Sequence, residues 1–457
     1  MTKTHRARIL TKRLGALALT SALAVTLAAC SSGSGSSSTG ASSGSAITQA
    51  QVTAALQKKS TITVWGWAPQ LKPIVAAFEK KYPNVTVKVQ NVGTGNDEYT
   101  KLQNAIKAGS GGPDVAQIEY YALPQFALSK SLADLTQFGG AKLESSYSAS
   151  TWSSVTQGSA IYGLPQDSGP MAMFYRADIF KKYGLSVPTT WAEYTADAKK
   201  LHKADPSAYI TNDTGDAGFT TSMIWQAGGK PYVSSGTSTV DIDLQDTGAK
   251  KFADMWSPLV DQGLVAPISS WTSEWYKGLA SGDIATLITG AWMPGDLESG
   301  VPTAKGDWRV APVPTYTAGT AASSENGGSA DAVLQNSSNK TVAYGFTEFM
   351  NGATGEKIFT DQGGFPASTA ILDSKSFLDK KDAYFGGQEL NKVLVQSSKD
   401  VLSGWSYLPY QTYANSVFGD TVGQAYENKT SLNSGLVAWQ NSSVKYGKAQ
   451  GFTVKAG

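Results

Sequence analysis

Residues 61–89 read TITVWGWAPQLKPIVAAFEKKYPNVTVKV. Ile62 and Val64 share one face of a short extended run, and Val85, Val87 and Val89 repeat that period of two. Between the runs, Leu71, Ile74, Val75 and Phe78 recur at helical spacing, and the stripe closes at Tyr82-Pro83, where proline stops a helix. A strand, a helix and a strand in this order make a βαβ unit, which favours parallel pairing and an α/β fold.

The same alternation continues outward. A helix is predicted over 97–107, leading into a strand at 114–119. Thr190 and Glu193 have capping-box spacing for a helix running to about residue 203. Strands are predicted at 284–288 and 308–313. Val342, Phe346, Phe349 and Met350 form one helical face, and the last 45 residues read as mostly helical. No internal repeat is present. A chain of 457 residues is long enough for two or three domains with ample core.

Charge and cysteine narrow the chemistry. The net charge is +2, with no basic stripe of the kind that marks nucleic-acid binders. Five of the basic residues, Lys3, Arg6, Arg8, Lys12 and Arg13, precede residue 30, where no acidic residue lies; without them 33 basic residues face 36 acidic ones, a net of −3. An apolar run over 14–29 follows, shorter than the roughly 20 residues that span a bilayer and suited to a signal-peptide core. It ends in Leu27-Ala28-Ala29-Cys30, which resembles the bacterial lipobox. Residues 1–29 are therefore expected to be a lipoprotein signal peptide. Cys30 would be the lipidated first residue, and 30–59 would hold it and a tether. Residues 31–46 are almost entirely Ser, Gly, Thr and Ala, a flexible coil with about 20–24 Å of reach. A single cysteine also leaves no internal disulfide, no CxxC pair and no anchor for structural zinc.

A set of short motifs then falls into a familiar order. It begins with Val64-Trp65-Gly66-Trp67, the helix end Phe78-Glu79-Lys80-Lys81-Tyr82-Pro83, and Gly112-Pro113-Asp114-Val115. Tyr162-Gly163-Leu164-Pro165 and Met173-Phe174-Tyr175-Arg176 follow, then Thr289-Gly290-Ala291-Trp292, Pro312-Val313-Pro314 and Gly363-Gly364-Phe365-Pro366-Ala367. Over nearly all of residues 60–440 the chain is similar to the extracellular solute-binding proteins of family 1, the sugar-binding subunits of ABC importers. The resemblance implies a two-lobe, periplasmic-binding-protein-like α/β fold of type II, with ligand in a cleft between lobes. One lobe would hold 60–167 and 328–375, the other 170–327 and 376–457. The hinge strands would lie at Asp167-Ser168-Gly169-Pro170 and Gly327-Gly328.

Sugar recognition calls for flat aromatic rings against pyranose C–H faces, and for carboxylates and amides that bond hydroxyls. The chain has 12 Trp, 20 Tyr and 15 Phe, many of which any core would use. Trp292 follows a strand end, where open α/β sheets present ligand contacts, and matches a stacking Trp in relatives; its other reading is a core residue capping the strand. Trp67 sits just past the first strand, with cleft edge and core both open. Glu119 and Tyr120, with Tyr121, end the strand at 114–119, where relatives place a Trp and polar contacts. Asp167 lies beside a position that carries a sugar-binding carboxylate in relatives, or else caps its own loop. Glu325 precedes the Gly327-Gly328 pair. Trp225, Trp271, Trp275, Trp405, Tyr407 and Tyr410 are looser candidates, and Trp271 and Trp275, four apart at helical spacing, fit a shared core face as well as a shared platform.

Asp241-x-Asp243 and Asp213-x-x-Asp216 lack the ligand spacing of an EF-hand, and His202 reads as part of a lysine-rich, solvated helix face. No metal and no cofactor are expected. The competing class is an extracellular glycoside hydrolase, which needs only two carboxyl groups about 5–9.5 Å apart. The resemblance instead implies a non-enzymatic, monomeric lipoprotein on the outer face of the cytoplasmic membrane. It would capture a di- or oligosaccharide by hinge closure and deliver it to an ABC permease.

Overall fold

A computed structural model describes residues 46–236 and 238–457. The predicted signal peptide, Cys30 and most of the tether lie outside the described residues. Eight strands build the two main sheets: β1 Ser60–Trp65, β2 Val85–Gln90, β3 Val115–Glu119, β4 Leu164–Pro165, β5 Met171–Arg176, β6 Thr286–Gly290, β7 Trp308–Pro312 and β8 Ser329–Val333.

The opening βαβ unit folds as its periodicity requires. β1 pairs parallel with β2 from Ser60↔Val85 to Trp65↔Gln90, and parallel with β3 at Val64↔Val115. The helix Leu71–Lys81 buries Leu71, Ile74, Val75 and Phe78. Phe78 meets the edges of Phe346 and Phe349 at 5.0 and 5.3 Å, on the helix Lys340–Met350. The full sheet runs β2-β1-β3-β8-β4, with β8 antiparallel to both neighbours.

The second lobe is organised differently. Its sheet, β6-β5-β7, is wholly antiparallel. Met171 and Met173 of β5 enter one apolar core, while Ala172 and Phe174 enter another on the opposite face. This period of two lets one strand hold two helical layers apart.

Three differences from the sequence reading have local causes. The helix Gln49–Leu56 lies inside the 30–59 segment assigned to the tether. Thr48 and Gln51 form a capping box, and Val52 and Leu56, one turn apart, are buried in the first lobe's core. Near the C-terminus, helix continues to Ala449, but Thr453–Ala456 is a strand parallel to Thr239–Ile242. His202 is half-buried rather than solvated: its ring lies 4.9 Å from that of Tyr209, and Nδ1 is 3.0 Å from the Ala208 carbonyl.

The chain crosses between the sheets three times. The Asn326 amide donates to the Gly169 carbonyl at 2.7 Å, and the Ser168 amide to Phe365 at 3.3 Å. A Cβ on residue 169 would collide with the Asn326 carbonyl, so only glycine permits this approach. Beyond the third crossing, Phe365, Leu372 and Phe377 already pack in the second lobe's core.

The first lobe also buries acid groups that form no salt bridge among the described residues. Glu98, Asp331 and Glu356 are each at most 1% exposed. Both carboxyl oxygens of Glu98 and of Glu356 lack hydrogen-bond partners among the described residues. Burial, reinforced by Asp331 and Glu119, pushes Glu98 from 4.5 up to about 8. Burial pushes Asp331 up to about 8 as well. A carboxyl raised in this way binds its proton more tightly when folded. Its stabilisation is complete below the ordinary carboxylate range and is lost as pH rises through the folded value. Glu98→Gln is therefore expected to flatten the decline in urea midpoint as pH rises from about 4.5 to about 8. Identical pH profiles for the two proteins would contradict the assignment.

Candidate functional site

A cleft of about 1080 Å³ lies where the strand ends of the two lobes meet. Trp67, Glu119, Asp167, Trp271 and Trp292, five of the residues singled out from the sequence, line it. The first-lobe wall is held by hydrogen bonds from its own strands. Gln117 Oε1 accepts from the Trp67 and Ala68 amides, both at 3.1 Å, and so fixes the turn after β1. The Tyr99 hydroxyl donates to Glu119 Oε2 at 3.0 Å and accepts from the Glu119 amide at 2.9 Å. Burial raises the Glu119 pKa, the Tyr99 and Tyr121 hydroxyls pull it back, and the charge of Asp216 across the cleft raises it again.

Asp216 belongs to the second lobe. It caps the helix Ala217–Gln226, accepting from the Phe219 amide at 2.6 Å. The surrounding protein raises its pKa, against the pull of the Phe219 and Gly218 amides. Its neighbour Asp213 is already engaged by Trp256 Nε1, the Tyr426 hydroxyl and the Gly215 amide, at 2.7 to 2.8 Å. Aromatic rings dominate the rest of this wall. Trp292 donates from Nε1 to the Asn326 carbonyl at 2.7 Å, and Trp275 from Nε1 to Asn212 at 2.8 Å. The ring of Trp271 lies 5.7 Å from that of Trp292 and 5.0 Å from that of Trp275.

Asp167 stands at the floor, on the first crossing. One of its oxygens accepts from the Ser329 amide at 2.6 Å, yet burial still pushes it up to about 7. Asn326, Gly327 and Gly328 of the second crossing share this floor, and Tyr407 and Gln411 enter the lining from the C-terminal half.

The structure places five other sequence candidates behind the cleft. Tyr120, in the turn after β3, is buried, and its hydroxyl donates to the Asp167 carbonyl at 2.7 Å. Glu325 is buried and accepts from the Gly169 amide at 2.7 Å and from Ser150 at 2.8 Å, so it braces the crossings. Trp225 is buried, donates to the Leu402 carbonyl and stacks at 5.1 Å on the half-buried Trp405, a pair that supports the segment carrying Tyr407. Tyr410 packs against Tyr446 and Phe452 in the second lobe's core.

Gln117 and Asp296 were not anticipated. Gln117 carried a signal, since it is a lone polar residue inside the apolar run Val115-Ala116-Gln117-Ile118. Asp296 stands on a short helix after Trp292 and had none.

Two α/β lobes, three crossings and a lined cleft define a periplasmic-binding-protein-like fold. The chain belongs to the bacterial extracellular solute-binding protein family, whose sequence profile matches residues 66–357. It is similar to an ABC transporter associated binding protein from B. animalis subsp. lactis Bl-04, solved in complex with β-1,6-galactobiose. That similarity is 45% identity with a TM-score of 0.79, covering 87% of this chain and 100% of that one. It is 26% identical to a lactose-binding protein of Rhizobium radiobacter, over 74% of this chain and 83% of the relative. A maltooligosaccharide ABC transporter solute-binding lipoprotein of Streptococcus pneumoniae is 25% identical, over 73% of this chain and 76% of the relative. Among the described residues, no helix is long and apolar enough to cross a membrane.

Proposed function

We propose that this protein captures a short glycan containing a β-galactosyl unit and presents it to an ABC permease, without cleaving it. One observation carries the reading: the indole of Trp292 on one wall and the hydrogen-bonding groups of Glu119 and Tyr121 on the other line a single cleft. Rings of this kind cover the apolar faces of a pyranose, and the opposite groups take its hydroxyls. The sugar preference draws on the relatives, since galactobiose and lactose share a β-linked galactosyl unit.

Trp67, Glu119, Tyr121 and Asp167 would hold the ligand from the first lobe and its crossing, with Asp216, Trp292 and Asn326 opposite. A ligand touching both walls binds the closed arrangement better than the open one, and so selects it. The first lobe would hold 60–167 with 328 to about 364, and the second 170–327 with the chain from Phe365 onward rather than from 376, turning about the crossings. The protein would act as a monomer anchored through diacylated Cys30 on the outer face of the cytoplasmic membrane. The Streptococcus pneumoniae relative is itself a lipoprotein, which supports the anchor.

Calorimetry against β-1,6-galactobiose, lactose and maltose, with chromatography of the recovered sugar, tests this reading. Stoichiometric binding with intact disaccharide is expected; release of monosaccharide would instead make Glu119 and Asp216 a hydrolytic pair. Trp292→Ala is expected to lower affinity at least about tenfold with little change in melting temperature. An unaltered affinity would remove Trp292 from the site. Cys30→Ser should abolish incorporation of labelled palmitate and release the protein from membranes.

A further inference from the structure

Trp271 has no structural justification of its own. Its side chain is 52% exposed, the one aromatic among the exposed large apolar residues described. Its backbone sits at φ 68°, shared by only two other non-glycine residues among those described, Lys130 and Lys429. A bulky side chain in the left-handed region is an outlier, and such strain persists where the surroundings enforce it.

Those surroundings are built. Thr272, the next residue, caps the helix Ser273–Ser281, accepting from the Trp275 amide at 3.2 Å and donating to the Ser269 carbonyl at 2.9 Å. Asn212 ties the preceding loop down, donating to Ile268 and Ser270 at 2.9 and 3.0 Å while it accepts from Trp275. Residue 271 therefore lies off the helix, so its spacing from Trp275 is not a shared helical face. Trp275 and Trp292 are pinned by their indole N–H groups; Trp271 rests against both rings and reaches into water. From the crossings outward the order is Asn326, Trp292, Trp271. The cleft, at about 1080 Å³, exceeds the roughly 300–1,000 Å³ usual for small-ligand pockets.

We propose that Trp271 is an outer sugar platform, held in a strained backbone to stack the glycan unit farthest from the crossings, so that the cleft takes at least a trisaccharide. This rests on the sugar-capture reading above. Inner units lie between Trp67 and Trp292, and Trp271 adds affinity only when a further unit reaches it.

The test titrates the full chain in detergent, alongside Trp271→Ala and Trp271→Gly, with matched disaccharide and trisaccharide pairs. The pairs are galactobiose and galactotriose, maltose and maltotriose, and arabinobiose and arabinotriose. For the preferred pair, the unaltered chain is expected to bind the trisaccharide about tenfold tighter, and both variants to lose that gain. Disaccharide affinity should stay within about twofold. Trp271→Gly should melt no lower than the unaltered chain, because glycine accepts the left-handed φ without strain. Equal losses for both lengths, no loss, or an unaltered chain indifferent to length would overturn the platform and leave sugar capture standing. Binding of none of the pairs would overturn both.

Discussion

The hydrogen bond from the Asn326 amide to the Gly169 carbonyl binds two chain crossings into one ribbon, and the cleft exists because of it. Glu325 reinforces the ribbon by accepting from the Gly169 amide, and Asp167 does so by accepting from the Ser329 amide. With these strands joined, the ends of β3 and β6 must face each other across the same gap. No side chain other than hydrogen fits at residue 169, so the geometry is set by backbone contact and not by packing that could readjust.

The two walls divide the work of recognition. The first lobe supplies groups whose directions are fixed by strands, and Tyr99 holds Glu119 by both its backbone and its carboxylate. The second lobe supplies the indole of Trp292, whose N–H is spent on the Asn326 carbonyl, and the ring of Trp271 beside it, backed by the buried Trp275. Burial raises the pKa of Glu119 and Asp167, so keeping either carboxyl ionised in this space opposes folding. Hydroxyl groups of a ligand would offset part of that cost, which favours the occupied, closed arrangement.

Much of this was legible in the chain. The periodicity of residues 61–89 predicted the strand, helix and strand that appear, and the Thr190–Glu193 capping box predicted the start of the helix Trp191–Ala204. Trp67, Glu119 and Trp292 line the cleft because they lie at or just past strand ends, a position that sequence marks. Tyr120 lies outside the cleft lining because it sits in the turn after β3, where its hydroxyl reaches the Asp167 carbonyl of a crossing that local sequence does not specify. Trp225, Trp405 and Tyr410 lie outside the cleft lining for another reason: an aromatic residue has the same local signature in a core as in a cleft.

By itself, the sequence determined the elements, their order and the residue types that sugar chemistry needs, because these follow from local periodicity and composition. It also placed glycine at 169 and at 327–328, which only certain backbone paths require. Only the tertiary structure decided which rings face water and which carboxyl groups face one another. Those outcomes depend on contacts between distant segments: the antiparallel sheet of the second lobe, the three joined crossings and the left-handed turn at Trp271. Burial is a property of the assembled lobes, and no single segment carries it.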